Sequence, residues 1–251
     1  MGFEKRAVCL LGLFVLVFCV AAGCGRQQVP EERFIEVNGV TLAYLEAGSG
    51  RPLILLHGGG GNNRDFEPVM EELSQDYKVY AIDSRGHGNS SAVEEYNYQD
   101  MANDMKAFIK AKKLDHPVLY GFSDGGITGL LLASQDPDLL SELIISGANA
   151  SPDGLRSEDR KAMEREYRLS GDPLLKMELT QPHLTESDLH RISIPTLVLA
   201  GSRDMIKESH TRFLAANIPG SRLEILEGES HSSYVMEGTK LARIIKAFLS
   251  E

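Results

Sequence analysis

Residues 119–129, LYGFSDGGITG, leave the backbone few choices. Leu119 to Phe122 close an apolar run with strand character, and Ile127 opens a segment with helical character. Ser123 sits between them, with Gly121 two residues before it and Gly125 two after. A strand that passes directly into a helix turns sharply at Ser123, and side chains on the flanking positions would collide with that turn. Gly-x-Ser-x-Gly in a strand–turn–helix setting is a nucleophile elbow. It thrusts the serine hydroxyl out over the sheet, and the N–H groups that follow begin a helix whose positive end favours an oxyanion. Gly126 allows the helix to lie close against the strand. The competing interpretation is an ordinary serine N-cap after a turn.

The rest of the chain repeats this alternation. Residues 34–48 alternate apolar and polar around Asn38-Gly39, the pattern of a β-hairpin. Continuous apolar runs follow at PLILL, YKVYAI, HPVLYGF, LSELIISGA, IPTLVLAG and SRLEILEG. Helical spacing is expected from near Asn63 to Leu73, and at Met101, Met105, Phe108 and Ile109. It is also expected in GITGLLLASQ and in a closing helix over YVMEGTKLARIIKAFLS. Apolar strands alternating with helices predict an α/β fold, a mostly parallel, doubly wound sheet with an antiparallel hairpin at one edge. Residues 150–192 hold helix formers and no strand, too many for a plain loop. They are expected to form a small helical cap, with Met163, Tyr167, Leu174, Leu175 and Met177 as its apolar core.

Sites in such sheets lie beyond the carboxyl ends of the strands. A serine hydroxyl needs a base, and the base needs an orienting acid. Asp204 follows one later strand and His231 follows the next, so the order is Ser…Asp…His. His231 is assigned to take the Ser123 proton and return it to the leaving group. Asp204 is assigned to fix the imidazole tautomer. Glu227 and Glu229 flank His231 and are read as solvated loop charges. His57, His87, His183, His190 and His210 follow no comparable strand, and His57 is expected to make a structural hydrogen bond. Four glycines, Gly58 to Gly61, come directly after a strand and allow backbone N–H groups to approach a ligand. The N–H of Gly59, with Gly60 second, is expected to form an oxyanion hole with the N–H of Asp124. Loss of one such donor costs ~100- to 1000-fold in turnover. A phosphate loop is disfavoured because no Lys-Ser/Thr ending follows. No motif implies a metal or other cofactor, or an oligomeric partner.

The N-terminus has a different character. Lys5 and Arg6 precede an uncharged apolar run that ends in small residues at Cys24, after which the chain turns polar. Basic start, apolar middle and small residues before a cut describe a secretory signal. Val20-Ala21-Ala22-Gly23-Cys24 resembles the bacterial lipobox, apart from Ala21 where Leu is usual. Residues 1–23 are therefore expected to be a lipoprotein-type signal peptide, residues 24–32 a tether with lipidated Cys24, and residues 33–251 the domain. That places the protein outside the cytoplasm on the bacterial cell membrane. Plain secretion and an uncleaved anchor are the alternatives. The three cysteines, Cys9, Cys19 and Cys24, all lie in this leader region, so the domain contains no disulfide, Cys nucleophile or Cys metal site. A net charge of −10 argues against nucleic acid as a partner, because binding a polyanion requires clustered Lys and Arg.

Together HGGGG, the Asp83-Ser84-Arg85-Gly86-His87-Gly88-Asn89-Ser90 turn, GFSDGG, and the turns at Gly201–Asp204 and Gly228–His231 resemble the α/β-hydrolase superfamily. The resemblance runs over residues 33–250. It implies the α/β-hydrolase fold, a Ser123–His231–Asp204 triad and a structural role for Asp83 and Arg85. Haloalkane dehalogenases and epoxide hydrolases carry a carboxylate at the nucleophile position, and Asp124 lies one residue away from it. SDGGIT with the strand ending Gly147-Ala148-Asn149 is similar to the biphenyl hydrolase-like group, which includes hydrolases of α-amino-acid esters. The resemblance therefore implies a small-molecule ester as substrate. It offers two roles for the Asp124 side chain, pairing with a substrate ammonium at ~1.5–3 kcal/mol or capping its own helix. The expected function is a serine esterase. A peptidase, lactonase or cofactor-free haloperoxidase of the same fold is the next alternative, followed by a non-enzymatic ligand sensor.

Overall fold

The computed structural model describes residues 30–251. Leader residues 1–23, the proposed lipidation site Cys24 and most of the tether lie outside the described residues. Glu31 and Glu32, placed in the tether by sequence, already belong to the first strand.

The strands are β1 (Glu31–Val37), β2 (Val40–Ala47), β3 (Arg51–Leu56), β4 (Tyr77–Ile82), β5 (Val118–Phe122), β6 (Glu142–Ser146), β7 (Thr196–Arg203) and β8 (Arg222–Ser230). They form one sheet in the order β1-β2-β4-β3-β5-β6-β7-β8. β1 and β2 pair antiparallel, β2 also runs antiparallel to β4, and the strands from β4 onward are parallel to their neighbours. The hairpin turns at Asn38 and Gly39, both with positive φ (45° and 79°), which suits the right-handed twist of the flanking strands.

The helices are α1 (Glu67–Leu73), α2 (Tyr98–Ala111), α3 (Asp124–Gln135), α4 (Ser157–Ser170), α5 (Pro173–Thr180), α6 (Glu186–His190), α7 (Glu208–Asn217), α8 (Ser233–Met236) and α9 (Thr239–Leu249). The two-residue period of the strands divides the core. Ile54, Leu56, Ile82 and Leu119 meet α2 and α3 on one face, including Met101, Met105, Phe108 and Ile109. Leu53, Leu55, Val79 and Val118 meet α1 and α9 on the other. Each of these fully buried side chains contributes about 1.5–3 kcal/mol.

Three sequence expectations change. The closing helix is two helices, because Gly238 turns with φ 56° and a Cβ there would stand 2.5 Å from Pro68 Cβ. α7, between β7 and β8, was not anticipated. Residues 150–192 do not act as one cap: α4 and α5 stand over the strand ends, whereas Leu184, Leu189 and Ile192 return to the core under the sheet. α4 buries none of its residues. Among the described residues, no helix is long and apolar enough to cross a membrane.

Candidate active site

The strand ends carry the site. β5 runs into α3 through Ser123, whose φ of 52° and ψ of −114° are strained for a residue with a Cβ. The strain is held from several sides. The Ser123 N–H donates to Ser146 O on β6 (2.8 Å), and Ser123 O accepts from the Ile127 N–H (3.0 Å). A Cβ on Gly121 would lie 2.2 Å from Gly125 O, and one on Gly125 would lie 2.3 Å from Leu56 O. Both atoms belong to backbone that cannot move aside. The close packing at Gly126 is also present, since a Cβ there would meet Ala148 Cβ at 2.9 Å.

β7 ends immediately before Asp204 and β8 immediately before His231. His231 Nδ1 donates to Asp204 Oδ1 (2.6 Å), which leaves Nε2 free to accept from Ser123 Oγ (3.1 Å). Asp204 is 2% exposed, and its carboxylate is fixed by the Ile206 N–H on Oδ1 (2.9 Å) and the Gly201 N–H on Oδ2 (3.4 Å). The His231 ring lies against Phe122, with centroids 4.9 Å apart. It also lies so close to Gly147 that a Cβ there would touch Cε1 at 2.7 Å. Ser123, Asp204 and His231, three residues distant in sequence, therefore form one hydrogen-bonded chain.

The competing residues have other roles. His57 accepts from the Ser84 N–H at Nε2 (3.0 Å) and donates from Nδ1 to Gly58 O (2.7 Å). Burial lowers its pKa to about 4, which keeps it neutral. Asp83 accepts the N–H groups of Asn63 and Asn89, and Arg85 makes a bidentate pair with buried Asp104. His210 accepts from the Ala150 N–H. Glu229 is not a solvated loop charge: it pairs with Lys240 and accepts from Ser233 Oγ, which secures the segment that carries His231.

A cavity of about 320 Å³ opens over Ser123. Gly58, Gly59, Ser123, Asp124 and His231 line it, and Gly60 does not. From the cap come Met163 and Leu175, assigned by sequence to cap core, and from the loop after β7 comes Ile206, bridged to Leu155. Met177 is buried, in the same cluster as Met101 and Met105 rather than in a core of the cap's own, and Tyr167 lines a separate hollow.

The Asp124 side chain does not cap its own helix, since it makes no hydrogen bond to the N-terminus of α3. Instead Oδ1 accepts from the Tyr98 hydroxyl (2.7 Å), and Oδ2 has no donor among the described residues. Burial raises its pKa, opposed by Tyr98 and by the two imidazoles of His87 and His231. Tyr98 and Glu178 also line the cavity, and sequence reasoning missed both. Glu178 carried a legible signal, because it stands three residues after Leu175 on α5 and so shares that apolar face of the helix. Among the described residues, no three His, Cys, Asp or Glu side chains group as metal ligands.

Comparison with known proteins places these features. A family model described as alpha/beta hydrolase fold matches residues 51–168. A curated relative, "Serine hydrolase BPHL" of Mus musculus, is 28% identical over 249 residues, covering 86% of this chain and 85% of its own length. Among solved structures, an esterase from Exiguobacterium antarcticum superposes with a TM-score of 0.75 at 25% identity, over 87% of this chain and 99% of that one. The enol-lactonase from Burkholderia xenovorans LB400 shares the fold, with a TM-score of 0.73 at 23% identity over 86% of this chain and all of that one.

Proposed function

Because this chain belongs to the α/β-hydrolase superfamily and is a hydrolase, we propose that it cleaves carboxylic esters through an acyl-Ser123 intermediate. The observation that carries this is the Ser123–His231–Asp204 chain, with hydrogen bonds of 3.1 and 2.6 Å. In the proposed reaction Ser123 Oγ attacks the ester carbonyl carbon while its proton passes to His231 Nε2. Asp204 stabilises the imidazolium that forms. The carbonyl oxygen becomes an oxyanion that accepts from the N–H groups of Gly59 and Asp124. Collapse breaks the C–O bond, and His231 protonates the departing alcohol. Water then repeats the sequence on the acyl-serine, giving up its proton to His231, and frees the carboxylic acid and Ser123.

The Asp124 carboxyl in the cavity supports α-amino-acid esters as the substrate class, in line with the resemblance of SDGGIT to the biphenyl hydrolase-like group. Enclosure by Met163, Leu175 and Ile206 suits short acyl groups. The leader motif ending at Cys24 supports a lipid anchor on the outer side of the cytoplasmic membrane. Incorporation of labelled palmitate into the parent and not into Cys24→Ala tests the anchor.

Hydrolysis of p-nitrophenyl butyrate by the full chain tests the chemistry. The parent should turn it over, and Ser123→Ala should lose at least about a thousandfold in kcat/KM. A Ser123→Ala protein as active as its parent would exclude the acyl-serine route.

A further inference from the structure

Among the described residues two carboxyl groups line the cavity, Asp124 and a second supplied by the cap. Leu175 and Glu178, three residues apart on α5, present one face of that helix to the cavity. Gly59 marks where the two acids meet. A Cβ built on Gly59 would stand 2.0 Å from Glu178 Oε1 and 2.8 Å from Asp124 Oδ2. Two carboxyl oxygens therefore converge on one point beside a glycine Cα, where any side chain would displace them. Tyr98 serves the other Asp124 oxygen, and among the described residues no Lys or Arg lines the cavity.

Two acids this close, Asp124 buried and Glu178 half-buried, do not both ionise readily without a compensating charge. The groups facing Glu178 aggravate this. Asp124 approaches from α3, Asp172 stands at the start of α5 and Glu166 lies on α4. The Tyr98 hydroxyl on α2 is neutral. Burial first, and then these three acids, push the Glu178 carboxyl up to about 8. The free site thus retains a proton at neutral pH, and a cation can take its place.

We propose that Glu178 and Asp124 together form a receptor for a primary ammonium next to the scissile carbonyl, with Glu178 as the specificity-determining residue supplied by the cap. This rests on the acyl-serine function proposed for Ser123. The receptor adjoins Gly59 and Asp124, whose N–H groups are the proposed oxyanion donors. Uncompensated negative charge there opposes the oxyanion, and an ammonium offsets it. Below about pH 8 the Glu178 proton already offsets that charge, so its exchange for an ammonium tightens binding; above about pH 8 the ammonium alone offsets it and raises kcat as well. A neutral ester leaves the proton on Glu178, and its turnover falls as that proton is lost above about pH 8.

The test compares p-nitrophenyl esters of α-aminobutyrate and butyrate, with the full chain and with Glu178→Gln. The parent should prefer the amino ester by tenfold or more in kcat/KM. Glu178→Gln should lose at least tenfold of that preference, along with the alkaline decline of butyrate turnover. An undiminished preference in Glu178→Gln overturns the proposal. A binding measurement keeps the result independent of turnover. Calorimetry on Ser123→Ala, below pH 8 and in buffers of different ionisation enthalpy, should show α-aminobutyramide binding more tightly than butyramide and releasing a proton. Adding Glu178→Gln should abolish the proton release and cut the binding preference at least tenfold. Equal binding of the two amides overturns the receptor, even if esters are cleaved. Tight, proton-releasing binding of the ammonium amide in a protein that cleaves neither ester supports the receptor and rejects the acyl-serine function.

Discussion

Replacing Asp204 by Asn removes one charge and almost no volume, and the structure sets how much activity should go with it. Asp204 Oδ1 accepts two hydrogen bonds, from His231 Nδ1 (2.6 Å) and from the Ile206 N–H (2.9 Å). Oδ2 accepts a long one from the Gly201 N–H (3.4 Å). The new amide has two orientations. With its NH₂ at the Oδ1 position it would point donors at the Ile206 N–H and force His231 Nε2 to carry the proton, leaving no base for Ser123. With its oxygen there it keeps both short bonds and gives up only the weak one to Gly201. The second orientation should dominate, so the tautomer survives and the loss is the charge that stabilises the imidazolium. A charge-assisted bond of this kind in a buried setting is worth roughly 2–4 kcal/mol, so kcat/KM should fall about 30- to 1000-fold. Where the wrong tautomer is trapped, the same substitution in a serine triad costs about 10⁴-fold. Steady-state hydrolysis of an activated ester, with circular dichroism as the check on folding, separates the two ranges. A loss of 10⁴-fold or more in a folded protein would show that the amide turned its nitrogen to the ring and would refute the reasoning from Ile206.

Gly125→Ala puts a Cβ 2.3 Å from the backbone oxygen of Leu56, so the elbow must move off β3. A displacement of the nucleophile near 1 Å costs about 100-fold, and activity within tenfold of the parent would count against the packing argument. Asp104→Ala removes both 2.7 Å bonds of the bidentate pair and leaves Arg85, which lies away from the cavity, only a 3.7 Å contact with Asp100. Breaking such a pair costs about 3 kcal/mol, or roughly 6–12 °C in Tm, while ester turnover at ambient temperature should stay within about twofold. The fold keeps Glu178 protonated to about pH 8, whereas an exposed Glu ionises near 4.5. The folded state binds the extra proton across that window, so the contribution is fully present at low pH and is lost as pH rises through about 8. Gln cannot ionise, so the Tm of Glu178→Gln should gain on the parent as pH climbs, by on the order of 2 kcal/mol or roughly 4–8 °C, and a pH-independent difference would be evidence against a protonated Glu178 in the folded state.

The legible parts of this protein follow local rules. The strands announced themselves as short apolar runs because both faces of a parallel sheet are covered. Gly121-Phe122-Ser123-Asp124-Gly125 pointed to the nucleophile because a strained turn admits so few residue types. Asp204 and His231 could be located because each follows its strand directly. Errors arose where distant chain sets the outcome. Gly238 splits the last helix because Pro68 packs against it, and periodicity alone does not register a partner so far away in sequence. Glu229 looked like a loop charge until Lys240, one helix later, came within reach. Leu184, Leu189 and Ile192 belong beneath the sheet rather than in the cap, a difference of place that leaves no mark on their apolar character.

Sequence by itself was enough to determine the order of the strands, the elbow, and which serine, acid and imidazole follow the strand ends, since these depend on near neighbours and on a backbone with few alternatives. Tertiary structure alone decided what the Asp124 side chain does. As the first residue of α3 it had the chemistry of a helix cap, but it bonds to Tyr98 and leaves its second oxygen beside Gly59. It also decided that Glu178, in a helix without any motif, would arrive at the same point. Electrostatic meaning depends on distance and burial, and those are properties of the folded chain: the acids at 124 and 178 become one site only when the cap is laid over the sheet.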